Sequence, residues 1–146
     1  MIRWITGALY GLFFWLVIDF LFYAGIYVHY MKAQAIPVFF NAFFIAHQVW
    51  WLWPAGVAVL GALFMWENRL IKGFLLLMLV GVSALTWVPT LGERAGYTLF
   101  SKAPARYRFG EREVSGVRLY SANGVDFVRL EKSPLLMRYP VGNRVR

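Results

Sequence analysis

The chain has 146 residues, of which 60% are hydrophobic and 19% aromatic, with a formal net charge of +8 and no cysteine. A hydrophobic share this far above the ~45–50% of soluble domains argues against an ordinary globular domain. The missing cysteines exclude disulfides, thiol catalysis, Cys-ligated zinc and iron–sulfur clusters within this chain.

Charge is unevenly placed. Residues 4–92 carry only Asp19, Lys32, Glu67, Arg69 and Lys72, whereas residues 93–146 carry eleven Lys/Arg and five Asp/Glu, a net of +6. A transmembrane helix needs roughly 20 mostly apolar residues. Residues 4–28 meet that requirement with Asp19 as their one charge. Their apolar run is too long for a signal peptide's core and ends without a small-x-small cleavage pattern, so this first span is expected to be retained.

The next uncharged run, Ala33 to Trp66, holds 34 residues. As one helix it would measure about 51 Å, well beyond a hydrocarbon core of about 30 Å, so it must be divided. The division falls at His47-Gln48. Residues 48–66 then form a second span, with Trp50, Trp51 and Trp53 at headgroup depth and Pro54 in the first turn. Residues 36–47 are too short to cross. Phe39, Phe40, Phe43 and Phe44 lie on a helical repeat there, and Gln34, Asn41 and Gln48 recur every seven residues, as on the polar side of one interfacial helix. Residues 73–92 are uncharged and form the third span.

From Ala105 the pattern alternates with a period of two, the sign of short strands. Asn123-Gly124 is a strong hairpin signal. A two-residue turn there pairs Leu119 with Val128 and Val117 with Leu130 on one face, and Tyr120 with Phe127 and Arg118 with Arg129 on the other. A second hairpin at Gly110-Glu111 sets Arg108 opposite Glu113, and Ser115-Gly116 would carry a bulge. Residues 134–140 add an edge strand bounded by prolines. So small a module is expected to lean on the membrane domain or on another subunit.

The sequence thus reads as an α-helical integral membrane protein, with about three transmembrane helices, one interfacial helix and a small C-terminal antiparallel β module. Its division is a membrane domain over residues 1–92 and a basic extramembrane tail over residues 93–146. Lys/Arg near the span ends number six on the side of Lys32 and the tail against three on the side of Arg3, Arg69 and Lys72. That asymmetry favours an inner-membrane protein with a cytoplasmic C-terminus.

Asp19 is the leading candidate site, because an ionisable group inside a span costs about 2.5–3.5 kcal/mol at the helix centre. Tyr23 lies one turn on and Trp15 one turn back. Ser83 or Thr86 could bond the carboxyl within the chain, and a partner subunit's cation or a transport path are the functional readings. Gly7 and Gly11 form a small-xxx-small pair for helix contact, matched by Ala58/Ala62 and Gly81/Ala84 in the later spans. His29 and His47 flank the first loop without metal-ligand spacing. Arg118, Tyr120, Phe127 and Arg129 form an aromatic and basic face for anionic lipid or a partner protein, with nucleic acid ranked below both.

No GxSxG, HExxH, phosphate-binding glycine loop or paired carboxylates occur. The expectation is a non-enzymatic subunit of an envelope assembly of the secretion, DNA-transfer or envelope-biogenesis kind, with membrane lipids and other membrane subunits as partners. A homo-oligomeric channel or transporter using Asp19 is the alternative and a small membrane enzyme the third. Nothing in the residues calls for a cofactor.

Overall fold

The structure, a computed structural model, describes residues 2–109, 112–131 and 135–141. Helix α1 (Ile2–Ile26) continues as a π-helical turn over Tyr27–Lys32 and is followed by α2 (Phe40–Ala46) and α3 (Leu52–Met65). Helix α4 (Arg69–Ala84) ends in a 3-10 turn over Leu85–Trp87 and leads into α5 (Pro89–Phe100). The chain then folds into a four-stranded antiparallel sheet, β1 (Lys102–Phe109), β2 (Arg112–Ala122), β3 (Val125–Leu130) and β4 (Leu136–Pro140), in spatial order β1-β2-β3-β4.

Two helices are long and apolar enough to cross a membrane, α1 with its π turn and α4 with its 3-10 turn. The expected second span is shorter than its uncharged run. The loop after α2 extends to Trp51, and α3 keeps 14 residues, a length of about 21 Å. Two cations cap its far end: Arg3 donates to the Met65 carbonyl at 3.2 Å and Lys72 to the Phe64 carbonyl at 3.0 Å, positions where positive charge suits the helix dipole. The expected third span begins earlier, because Asn68 Oδ1 accepts from the amides of Leu70 and Ile71 at 3.1 and 3.2 Å, an N-cap. It also ends earlier. Val88 is extended, as a residue before proline prefers, and Pro89 starts α5 from the N1 position. Helix α5 was not anticipated, and it runs across residue 93, where the apolar half was expected to end.

The end of α1 explains why Gln34, Asn41 and Gln48 do not share one helix. Ala35 takes a positive φ of 53°, the Ile36 amide donates to the Met31 carbonyl at 2.9 Å and the Ala35 amide to the Lys32 carbonyl at 3.0 Å. This is a Schellman cap, with Ile36 and Met31 supplying its hydrophobic contact from within the core. Pro37 follows it, so the helical repeat is broken and α2 is a separate seven-residue helix.

Helices α1 and α3 approach so closely that a methyl at Gly11 would meet the Val57 carbonyl and the Gly61 amide, and one at Gly56 would meet the Trp15 ring. On α3 the contact runs through Gly56 and Gly61 rather than the anticipated Ala58 and Ala62, which are exposed. On α4, Gly81 faces open space. The other end of α1 is equally tight. Thr86 fills the space above Gly25, and the Tyr30 ring fills that above Gly96.

The sheet leans on the helices, as a core this small requires. Leu119, Tyr120 and Phe127 join Ile26, Tyr30, Met31, Ile36 and Phe43 in one buried cluster, while Tyr107, Val128 and Tyr139 form a smaller one. The Asn123-Gly124 turn is present, with φ of 51° and 74°, and Tyr120 pairs with Phe127 as expected. Beyond that the ladder shifts. A bulge between Arg118 and Tyr120 pairs Arg118 with Val128, Val117 with Arg129 and Gly116 with Leu130. The expected Leu119–Val128, Val117–Leu130 and Arg118–Arg129 pairs do not form. The bulge sits here rather than at Ser115-Gly116 because it turns both Leu119 and Tyr120 toward the helices, where an unbroken strand would turn only one. Arg108 does lie opposite Glu113, and the Gly110-Glu111 turn lies outside the described residues. Pro104 and Pro140 fall on the edge strands β1 and β4, where a missing amide costs least.

Two outcomes follow. Gly11→Ala should lower the thermal midpoint of the detergent-purified protein by the equivalent of about 1–3 kcal/mol, since backbone is what its methyl meets; Gly81→Ala, with open space around it, should not. Replacing Asn123-Gly124 by Val-Val should abolish the protease resistance of residues 112–130, because β-branched residues do not tolerate positive φ.

Candidate functional site

Asp19 lies on α1, and its surroundings come from three segments. Trp15 and Tyr23 stand one turn to either side, Val49 belongs to the loop after α2, and Leu52 and Trp53 open α3. With Phe22 they line a cavity of about 190 Å³. Gln48, in the loop after α2, turns inward. Its Oε1 accepts from the Trp53 indole at 2.9 Å, and its side chain faces the Asp19 carboxyl. Asp19 Oδ2, Gln48 Nε2 and Trp15 Nε1 are nonetheless each buried without a hydrogen-bond partner. Asp19 Oδ2 and Gln48 Nε2 are a matched acceptor and donor that face each other, so Trp15 Nε1 is the buried donor at this cavity with no complementary group shown beside it, where buried polar groups are normally satisfied.

The neighbours expected to satisfy Asp19 are engaged elsewhere. Tyr23 donates to the His47 carbonyl at 2.8 Å. Thr86 donates toward the carbonyls of Phe22 at 3.0 Å and Ser83 at 2.9 Å, and Trp87 donates to that of Leu21 at 3.0 Å. The Thr86 and Trp87 bonds stitch the 3-10 turn onto α1 and leave the carboxyl to Gln48. Gly7 and Gly11 serve the α1–α3 contact, away from the carboxyl on the same helix.

The aromatic and basic face of the tail is not an exposed platform. Tyr120 is 1% exposed and Phe127 6%, because the bulge turns this end of the hairpin into the helix-facing core. Arg118 is pulled toward Asp126 at 3.6 Å, and Asp126 is itself fully buried. Arg118 Nε and Arg129 Nε are buried atoms without partners, so neither residue offers its whole guanidinium to solvent. His47 packs among rings, 4.7 Å from Phe100, 5.0 Å from Phe43 and 5.5 Å from Tyr120, with Nδ1 at 2.8 Å from the Phe43 carbonyl. His29 lies under the Gly92 crossing. Among the described residues no three His, Cys, Asp or Glu side chains come together.

Sequence reasoning missed Gln48 and Trp53 as members of the Asp19 site. Gln48 read as one step of a seven-residue polar repeat and Trp53 as part of an aromatic belt. Their spacing of five residues across a turn is the signal that could have paired them. Comparison with protein-family models, curated proteins and solved structures finds no match.

The Tyr120 hydroxyl is also buried without a partner, and burial pushes its pKa up to about 12. The neutral phenol is therefore the form the fold holds. Its contribution is complete below the ordinary value near 10 and is lost as pH rises through about 12. Phenolate absorbance should show one tyrosine titrating near 12, and Tyr120→Phe should remove that step. The same substitution should leave stability unchanged or raise it by about 1 kcal/mol, since it deletes an unsatisfied buried hydroxyl.

Proposed function

We propose that this protein is a non-enzymatic, multi-pass inner-membrane subunit of a multiprotein envelope assembly, with its C-terminus in the cytoplasm, and that Asp19 receives a cation or hydrogen-bond donor from a partner's helix. The observation that carries this reading is a carboxyl in an otherwise apolar helix at the wall of a cavity, with the neutral Gln48 amide as the one side chain facing it and the Trp15 indole N–H buried beside it without a partner. A neutral amide leaves the charge of a carboxylate uncompensated in an otherwise apolar helix, and a cation or further donor from a partner's helix would complete the site.

The helix surfaces support a lipid and protein environment. Leu9, Phe13, Phe74 and Leu77 are all more than half exposed on the two helices of spanning length, and apolar area of that kind is stable against hydrocarbon or another helix. Helix α4 buries only Ser83, so most of its circumference is left for such contacts. The channel reading draws less support, because a conducting path needs a file of polar groups, whereas the cavity walls are Phe22, Val49, Leu52 and aromatic rings.

The test compares Asp19→Asn and Asp19→Leu by co-purification of the assembly from solubilised membranes. If the partner group is charged, both substitutions should reduce recovery of partners about tenfold or more, since stranding one member of a buried pair costs about 3–5 kcal/mol. If it is a neutral donor, Asn should keep most of the complex and Leu should lose it. Full assembly of the Leu variant would overturn the role given to Asp19.

A further inference from the structure

Helices α1, α3 and α4 run side by side over one shared stretch. Gly7 lies against Gly61, Gly11 against Val57 and Trp15 against Gly56, and Leu52 and Trp53 reach the level of Asp19. Helix α4 starts where Lys72 meets the Phe64 carbonyl and ends where the Trp87 indole donates to the Leu21 carbonyl. Arg3 to Leu21 and Arg69 to Trp87 are therefore matched lengths, each about 27 Å along a helix. Between Arg3 and Lys72 at one end and Asp19 near the other, the three helices carry no charge. Exposed tryptophans mark both ends, Trp4 and Trp66 beside the cations, and Trp50, Trp51 and Trp87 toward the level of Leu21. Burial reverses at the same level. From Ile2 to Leu21 only Gly7 and Gly11 are buried, whereas from Phe22 to Lys32 the same helix buries Ala24, Gly25, Ile26, Tyr30 and Met31. Helix α5 lies beyond it, with Gly92 against Gly25 and His29 and Gly96 against Tyr30.

We infer that lipid covers only this stretch: α1 crosses the edge of the hydrocarbon near Leu21 and continues about 16 Å beyond it as the central helix of an extramembrane head built from α2, α5 and the sheet. The inference deepens the membrane reading above and rests on it. Three observations select a bilayer as what covers the exposed face. The matched length is close to a hydrocarbon core of about 30 Å. Tryptophans gather at the two ends of all three helices, as they do at the two interfaces of a membrane. The basic side chains stand at one end and none lies between, whereas a protein partner would impose no common pair of levels on three helices. A span over residues 4–28 would instead draw Arg94, exposed two residues after the Gly92 crossing, into hydrocarbon. Asp19 lies about 3 Å inside the boundary, so the partner group proposed for it is met at headgroup depth.

The chain has no cysteine, so a nitroxide label can be placed through one introduced thiol at a time. Ile5→Cys, Leu9→Cys, Phe13→Cys, Leu16→Cys and Val28→Cys all change exposed positions on α1 and displace no packed side chain. Each labelled full-length protein is reconstituted in phosphatidylcholine vesicles, and its collision rates with oxygen, which partitions into hydrocarbon, and with a water-soluble nickel chelate are compared. The ratio of oxygen to nickel should peak at Phe13, near the midpoint of Arg3 and Leu21, and fall toward Ile5. At Val28 the preference should reverse in favour of nickel. A peak at Leu16 with Val28 still favouring oxygen would put residues 4–28 in the bilayer and overturn the boundary while leaving the membrane reading intact. Nickel favoured at Phe13 as well would overturn the membrane reading and the boundary with it.

Discussion

Everything beyond the helix core hangs on the end of α1, where the chain has removed side chains so that backbones can touch. Gly25 admits Thr86, Gly92 lets α5 pass over the same turn, and Gly96 receives the Tyr30 ring. Tyr30 is fully buried, and its hydroxyl donates to the Leu119 carbonyl at 2.7 Å. Leu119 is the residue that the β2 bulge leaves without a cross-strand partner. The irregularity in the sheet and the tyrosine in the helix therefore answer each other: a carbonyl released from the ladder is paired by the one phenol placed to reach it. Interiors packed at crystal-like density transmit such constraints because they have no slack to absorb them.

The legible parts of the fold were those set by local chemistry. The apolar runs around Gly7–Ala24 and Gly73–Ala84, the Asn123-Gly124 turn and the Arg108–Glu113 register follow from period, length and φ preference, and these do not need the rest of the molecule. What escaped was set by contacts distant in sequence. The register of β2 on β3 depends on whether Leu119 and Tyr120 must both face Tyr30 and Phe43, which no alternation pattern encodes. The end of α1 carries Ala35 where a glycine would have announced the cap. Helix α5 was hidden because "PTLGERAGYTLF" is only moderately apolar; its glycines face Thr86 and Tyr30 and give no signal until those partners are known.

The candidate sites divide along the same line. Asp19 is legible as a lone charge in an apolar stretch, but its surroundings are completed by Gln48 from the loop after α2 and by Trp53 from the first turn of α3. The aromatic and basic row on the sheet was legible as Tyr120 with Phe127. Its cation is Arg138 from β4, the cross-strand partner of Phe127, rather than Arg118 or Arg129, because the bulge changes which arginines share a face with those rings. A single inserted residue thus converts an outward platform into part of the helix-facing core.

The junction between α5 and β1 has a mechanical meaning. Phe100 is the last residue of the helix and Lys102 the first of the strand, with Ser101 alone between them. A one-residue link cannot swivel without breaking the helix end or the first strand pairing. The sheet is also held by Tyr30 on α1 and by Phe43 on α2, so it is clamped at three points. A body fixed in that way shares one frame with the helices, since the 3-10 turn before α5 is itself bonded through Thr86 and Trp87 to the carbonyls of Phe22 and Leu21 on α1.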